Sequence, residues 1–419
     1  TSSLLRETAF LSRDRSVLLW LAVVALLASL AVASGLREVA IQQAALDELL
    51  ELDREDREAA LAGQEDWGGA AYYSFHLTYA APSDFAFAAL GRRDLDPWKH
   101  RVRMLALEGQ IYERDSGNPV LELIGRFDFA FFAAFVIPLV LIVMLHDLQA
   151  GERAAGRHAL LVTTAGSEQK PWLARAFLRC GGVFLAAAVP LLVAAVVAGT
   201  PTATIAGAVL FLALYIVFWG VLCTWFAARE QTAPALLAGL LGIWLTLAVL
   251  VPAGGGQLIE GLVPVPAGAD ITLTQREAVN DAWDLPKEAS MDAFVERHPQ
   301  WAEYATIEQP FEWKWYYAFQ QVGDQTTEAL TTEYREGRKA RDRLAGFVAL
   351  ISPPALLERA YQRLAGTDLR ASLAYEADVR NFHTQLRAFF YQQMFRDRPY
   401  SAEALETMPE FMPRDRSAS

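Results

Sequence analysis

The chain has 419 residues, 53% of them hydrophobic and 21% charged, which is too oily for an ordinary soluble protein and too charged for one lying wholly in lipid. Its net charge of −12 disfavours a nucleic-acid partner, which wants a basic stripe. The two cysteines, Cys180 and Cys223, both lie in apolar runs, so they allow at most one pairing between spans and neither a disulfide framework nor a cysteine-based zinc site.

Residues 1–16 carry Arg6, Arg13 and Arg15 and read as an amphipathic N-terminus. Residues 17–34 hold no charge and form the first span; the stretch is too long for the core of a signal peptide and no small-residue cleavage site accompanies it. From Leu36 to Leu52 apolar residues recur among charges, so the span continues outward as an amphipathic helix that Gly63 and Trp67-Gly68-Gly69 end. Asp53, Glu55, Asp56 and Glu58 read as its solvated face. Tyr72 to Tyr79 alternates loosely, as a strand does, and Asn118-Pro119 and Gly125 punctuate the return to the membrane. Residues 35–128 thus form a first hydrophilic domain.

A second span covers 129–145, with Pro138 in its middle; a bilayer tolerates this where neighbours satisfy the freed carbonyl. After the loop 146–179, the stretch from Cys180 to Ala228 has no charge and is broken by Gly199-Thr200-Pro201-Thr202, which predicts spans at 180–199 and 203–228. A fifth runs over 233–252, closed by Gly254-Gly255-Gly256, so 180–252 holds spans three to five. The last part, 253–419, predicts helices at 271–297 with a break at Asp284-Leu285-Pro286, at 311–347, at 355–364 and at 371–395, with Pro353-Pro354 as the stop. Leu344 to Leu357 is apolar but short and Pro-interrupted, an interfacial helix rather than a sixth crossing. Phe311 to Tyr317 is rich in aromatics suited to core packing, and the tail from Met408 reads as unstructured. The fold class is an all-α membrane protein of five transmembrane helices with two mainly helical extracytoplasmic segments. That orientation follows from basic short loops: the N-terminus, 147–179 and the turn with Arg229 face the cytoplasm, and parity puts 35–128 and 253–419 outside.

The chain has no GxxxxGK[ST], so it cannot cradle a nucleotide phosphate by a P-loop. His76, His100, His146, His158, His298 and His383 form no metal-ligand spacing and read as hydrogen-bonding residues. Met394, Met408 and Met412 lack the tight repeat of a copper-binding tail and read as ordinary apolar residues. Trp20, Trp172, Trp219, Trp225 and Trp244 suit the interfacial belts. No nucleophile–base pair points to an enzyme. The predicted spans hold no Asp, Glu, Lys or Arg, which leaves an ion-coupled transporter little to work with. The segment from His146 to His158 is short, charged and helix-like; it either docks in a partner's groove or is a plain positive-inside loop.

Several pieces in order resemble one family: Arg13-Asp14-Arg15, Asp94-Leu95-Asp96-Pro97, Asn118-Pro119, Gly125-Arg126-Phe127-Asp128, a Gly-Glu-Arg…Gly-Arg loop followed by Leu160-Leu161 and Lys170-Pro171, Ser352-Pro353-Pro354, and Ala365-Gly366-Thr367-Asp368. Together they resemble the type-2 ABC exporter permeases. Within these they resemble the multi-copper enzyme maturation branch, which includes the permease for nitrous oxide reductase maturation and a group whose exterior part is a domain of unknown function. The resemblance implies a non-catalytic permease of the bacterial inner membrane. It implies pairing with a second copy or a related permease over ABC ATPase subunits that bind ATP and Mg, with no cofactor in this chain. Lipid and a periplasmic protein are the further partners it implies. It also implies a coupling helix at about 148–165, with Glu152, Arg153 and Arg157 as ATPase-coupling residues. Such families usually have six spans, so either a sixth follows residue 419 or the fold is a five-span variant. An anchored extracytoplasmic scaffold without transport is the alternative.

Overall fold

The computed structural model describes residues 2–113 and 126–414. Asn118-Pro119 and Gly125 lie outside the described residues. Among the described residues, five helices are long and apolar enough to cross a membrane.

Helix α1, Ser2–Leu11, leads into α2, Arg15–Ala62, a single helix of 48 residues. The Asp14 carboxylate caps α2 by accepting from the Ser16 and Val17 N–H groups. At 1.5 Å per residue α2 is about 72 Å long, more than twice a hydrocarbon core, so the helix continues well past its apolar first half, as the sequence predicts. Its buried residues Val17, Val24, Ala28, Ala31 and Val32 keep helical spacing and pack the bundle. Gly35 lies where the backbone around Phe87 crosses; a Cβ there would sit 1.9 Å from the Phe87 carbonyl oxygen.

Span two, α5, covers residues 129–145 and contains a π turn at Phe132–Val136 just before Pro138. Pro138 deprives the Ala134 carbonyl of its helical donor, and the Tyr215 hydroxyl of a neighbouring span donates to that oxygen instead. The loop that follows holds α6, Ala150–Ala154, and α7, His158–Ala165. Spans three and four are α8, Lys170–Val197, and α9, Thr202–Ala227. Helix α8 starts ten residues before its uncharged run, because helix geometry continues past the lipid boundary that hydropathy marks.

Span five, α10, is Ala233–Leu262. The expected stop at Gly254-Gly255-Gly256 is not a stop, since the helix runs through all three glycines. A Cβ on Gly255 would meet Val348 at 2.6 Å, so this glycine admits a neighbouring helix rather than ending its own. A π turn at Thr246–Leu250 precedes Pro252, as in α5. In π register the Leu247 carbonyl loses its donor to Pro252, and the Ser352 hydroxyl donates to it at 2.6 Å.

The remaining described residues form a head at one end of the bundle. Its first part holds α3, Trp67–Tyr73, a hairpin of β1, His76–Tyr79, and β2, Lys99–Val102, and α4, Leu107–Tyr112. The strands pair antiparallel, His76 opposite Val102. Its second part holds α11, Gly268–Asp284, α12, Lys287–Arg297, α13, Trp313–Ile351, α14, Pro353–Leu364, and α15, Leu369–Met394. The two parts share cores: Trp67, Ala70 and Met104 pack with Phe294, Trp315, Phe319, Phe390 and Phe395, while Val102 and Ile111 pack with Ile271, Val379 and Phe382. Each such aromatic or aliphatic side chain contributes about 1.5–3 kcal/mol when fully buried. Trp315 and Tyr317 of the aromatic run are buried, as core packing requires.

Three readings are corrected here. Asp53 is buried rather than solvated, because it receives Arg57 at 2.7 Å, Arg101 at 3.2 Å and the Leu77 N–H at 3.1 Å where α2 meets β1. Trp219 is fully buried in the bundle and Trp172 is buried against His158, so neither is a belt residue. The chain after Met408 is docked as far as Arg414: the Phe411 ring lies 5.7 Å from Tyr79 and 5.6 Å from Phe382, and Arg414 pairs with Asp378 at 2.7 Å.

Candidate functional site

The resemblance points to the end of the bundle away from the head. There the Glu152 carboxylate of α6 accepts from Arg157 at 2.8 Å and from Arg175 of α8 at 2.9 Å. Arg175 also reaches Glu7 of α1 at 2.9 Å. Arg153 donates to the Arg229 carbonyl at 2.6 Å, in the turn between α9 and α10. Arg179 donates to the Met144 carbonyl at the end of α5. Glu152 and Arg153 thus tie α6 to α8 and to the α9–α10 turn, and Arg179 ties α8 to the end of α5.

The three expected residues are near one another but differ in availability. Glu152 is 15% exposed and engaged within the chain, Arg153 is half-buried on a carbonyl, and Arg157 is 63% exposed. Helix α7 carries no Asp, Glu, Lys or Arg, yet it is the more exposed element of the loop. None of its residues is buried, Leu160 is 67% exposed, and its tie to the bundle is the His158 ring stacked on Trp172 with centroids 5.2 Å apart. One face of this eight-residue helix, His158, Leu161, Val162 and Ala165, is half-buried, while Ala159, Leu160, Thr163 and Thr164 are turned outward and exposed.

The opposite end carries a collar that sequence spacing could not reveal, since its members are far apart in the chain. Asp128, which caps α5 through the Phe131 N–H, also accepts from the Leu90 N–H at 2.9 Å. Arg126 pairs with Asp94 at 2.7 Å and with Glu38 of α2. The Thr367 hydroxyl donates to the Ala89 carbonyl at 2.8 Å, and the Arg92 N–H to the Thr367 carbonyl at 2.9 Å. Gly366 makes that turn with φ of 62°. Thr200, in the turn between α8 and α9, donates to the Asp84 carbonyl at 2.9 Å. Three of the pieces that carry the resemblance, at 94–97, 126–128 and 365–368, meet here at the boundary between bundle and head.

Helices α13 and α14 form an elbow at Ser352-Pro353-Pro354 that enters this end of the bundle. Leu357, Tyr361 and Ala365 of α14 join the bundle core, and the Tyr361 hydroxyl donates to the Ala208 carbonyl of α9 at 2.9 Å. Ala208 and Leu247 lie more than a turn inside their helices, so the elbow reaches into the apolar bundle. It also brings Glu358 near Asp128, so an acidic side chain reaches the bundle from outside the charge-free spans.

Above the elbow, ion pairs bind the two parts of the head. Asp324 receives Arg387 at 2.6 Å, Gln275 at 2.6 Å and the Leu107 N–H at 2.7 Å. Glu108 takes a bidentate Arg380 at 2.7 and 2.8 Å. Arg338 bridges Asp96 and Glu376, both at 2.9 Å. Burial by itself would raise the Asp96 pKa, but Arg92, Arg338 and the Ser372 hydroxyl outweigh it and hold the carboxyl below its ordinary value. Among the described residues no cluster of His, Cys, Asp and Glu is arranged to hold a metal ion.

A family described as a domain of unknown function, DUF3526, matches residues 270–414, from the first turn of α11 to the docked tail. No curated protein and no solved structure matches the chain.

Proposed function

We propose that this chain is the permease subunit of an ATP-driven transporter of the type-2 ABC exporter kind. In this reading α7 with the exposed Arg157 docks on a partner ATPase in the cytoplasm, and a second copy or a related permease completes the membrane unit. The head stands outside the inner membrane. Closure of the ATPases moves the loop 146–179, the ties through Glu152, Arg153 and Arg179 carry the movement into α5, α8 and the α9–α10 turn, and the collar passes it to the head. Work at the head is export of a substrate or mechanical action on an extracytoplasmic partner.

The observation that carries the reading is α7, a helix with nothing buried, standing on the loop where the resemblance implies a coupling helix. The match of 270–414 to a domain of unknown function accords with the branch whose exterior part is so described. The test is co-purification of the chain with an ABC ATPase from its native membrane. Leu160→Asp with Arg157→Ala is expected to abolish it while the melting profile stays unchanged. An assembly indifferent to that change, or no ATPase in the wild-type assembly, favours the anchored scaffold.

A further inference from the structure

Where α10 leaves the bundle beside the elbow, a cavity of about 500 Å³ opens between α10, α13, α14 and the start of α15. Its wall holds five arginines, Arg92, Arg338, Arg341, Arg359 and Arg363, against the carboxylates of Glu260, Asp342 and Asp368. The lining itself holds two more positive than negative charges, an excess that Asp96 and Glu376 behind it offset through Arg338 and Arg92. The arginines are not equally committed. Arg338 is spent on Asp96 and Glu376, Arg92 on Asp96, and Arg359 on Asp342 at 2.8 Å. Arg341 has its Nε on the Val263 carbonyl at 2.9 Å and, among the described residues, no carboxylate within ion-pair distance. Arg363 is 58% exposed and stands 3.8 Å from Asp368. Two guanidinium groups thus retain donors for an anion, and the planar fork of arginine matches phosphate oxygens.

The surroundings of the cavity say where the anion comes from. The helices that wall it carry large apolar side chains turned outward: Leu258 and Leu262 on α10, and Phe347, Leu350 and Ile351 on α13, each more than 60% exposed. Helix α10 is a span, and Ser352, at the end of α13, bonds the Leu247 carbonyl inside it, so this apolar face continues from the cavity into lipid depth. A basic pocket at head-group height above an acyl-chain surface is the arrangement that holds an anionic lipid.

We propose that this cavity binds the phosphate-bearing head group of an anionic phospholipid, with Arg341 and Arg363 on the phosphate and the acyl chains against α10 and the end of α13. The site does not depend on an ATPase partner. Binding to the full chain in detergent, followed by native mass spectrometry with short-chain phosphatidylglycerol, phosphatidylcholine and glycerol 3-phosphate as probes, tests it. Phosphatidylglycerol is expected to bind about tenfold more tightly than phosphatidylcholine, a preference that Arg341→Gln with Arg363→Gln removes. Arg343→Gln, on the outer face of the same helix, is expected to keep it. If the double glutamine variant unfolds, the Arg341→Lys, Arg363→Lys pair, which retains charge without the fork, is expected to keep part of the preference. Equal binding of phosphatidylglycerol to wild type and either intact double variant overturns the site, as does an equal loss in Arg343→Gln. Glycerol 3-phosphate binding as tightly as the lipid also overturns it, in favour of a soluble anion.

Discussion

The two ends of the helical bundle are built in opposite ways. At the head end, hydroxyls, backbone amides and ion pairs from stretches far apart in the chain interlock, and the carboxylates of Asp53, Asp96, Asp128 and Asp324 each receive two or more donors. At the other end a loop is held by a few arginine contacts, and α7 has no fully buried residue. Low-stability elements are where moving or binding parts of proteins are found. The contrast marks the end with α7 as the less firmly held of the two.

Removing the charge of Asp324 would break the contrast most severely. Asp324→Ala leaves Arg387 buried without its partner and the Leu107 amide without an acceptor, and is expected to destabilise the head by about 3–5 kcal/mol, read by chemical or thermal unfolding of the purified chain. Acidification acts on the same body. Burial, then the Arg57 charge, lowers the His76 pKa to about 3, and burial, then Arg387, puts that of His383 well below its ordinary value. Unfolded, these histidines bind protons first, so their contribution is complete above about pH 6.5 and is lost progressively as pH falls toward the folded values. The melting midpoint of the head is expected to fall steadily from pH 7 to pH 4.5; a flat profile removes these two residues from the account.

Smaller effects sharpen the comparison. Tyr215→Phe and Ser352→Ala each leave a proline-freed carbonyl without its donor, at about 1 kcal/mol apiece in a folded-state stability assay. Their combination is expected to loosen the elbow more than either alone, shown by faster amide exchange in α14. At the opposite end, Leu160→Ala is expected to change stability by less than about 0.5 kcal/mol, since that side chain is 67% exposed. A loss comparable to that of Tyr215→Phe would mean that α7 belongs to the bundle and is not a free docking element.

Much of this fold is legible in the residues. The five spans, the outward continuation of the first, the break at Asp284-Leu285-Pro286 and the elbow at Pro353-Pro354 all stand where hydropathy and turn chemistry put them. The misreadings share a cause. Gly254-Gly255-Gly256 reads as a stop because glycine ends isolated helices, but Gly255 is needed for the approach of α13. Strand β2 has no pattern of its own, being four residues, Lys-His-Arg-Val, that become a strand against β1. Asp53 looks like one more charge in a solvated run until Arg101, forty-eight residues on, arrives beside it.

By itself, then, the chain of residues determines which segments must leave water and which must not, because transfer free energy and helical period are local sums over neighbours in sequence. It also fixes the places where proline removes a donor. What only the tertiary structure decides is who replaces that donor, which charges are spent on one another, and which are left over. Tyr215 and Ser352 at the proline sites, and Arg341 and Arg363 at the cavity, owe their roles to residues distant in sequence. Distance through space, not along the chain, sets whether a polar group in a low-dielectric setting is satisfied.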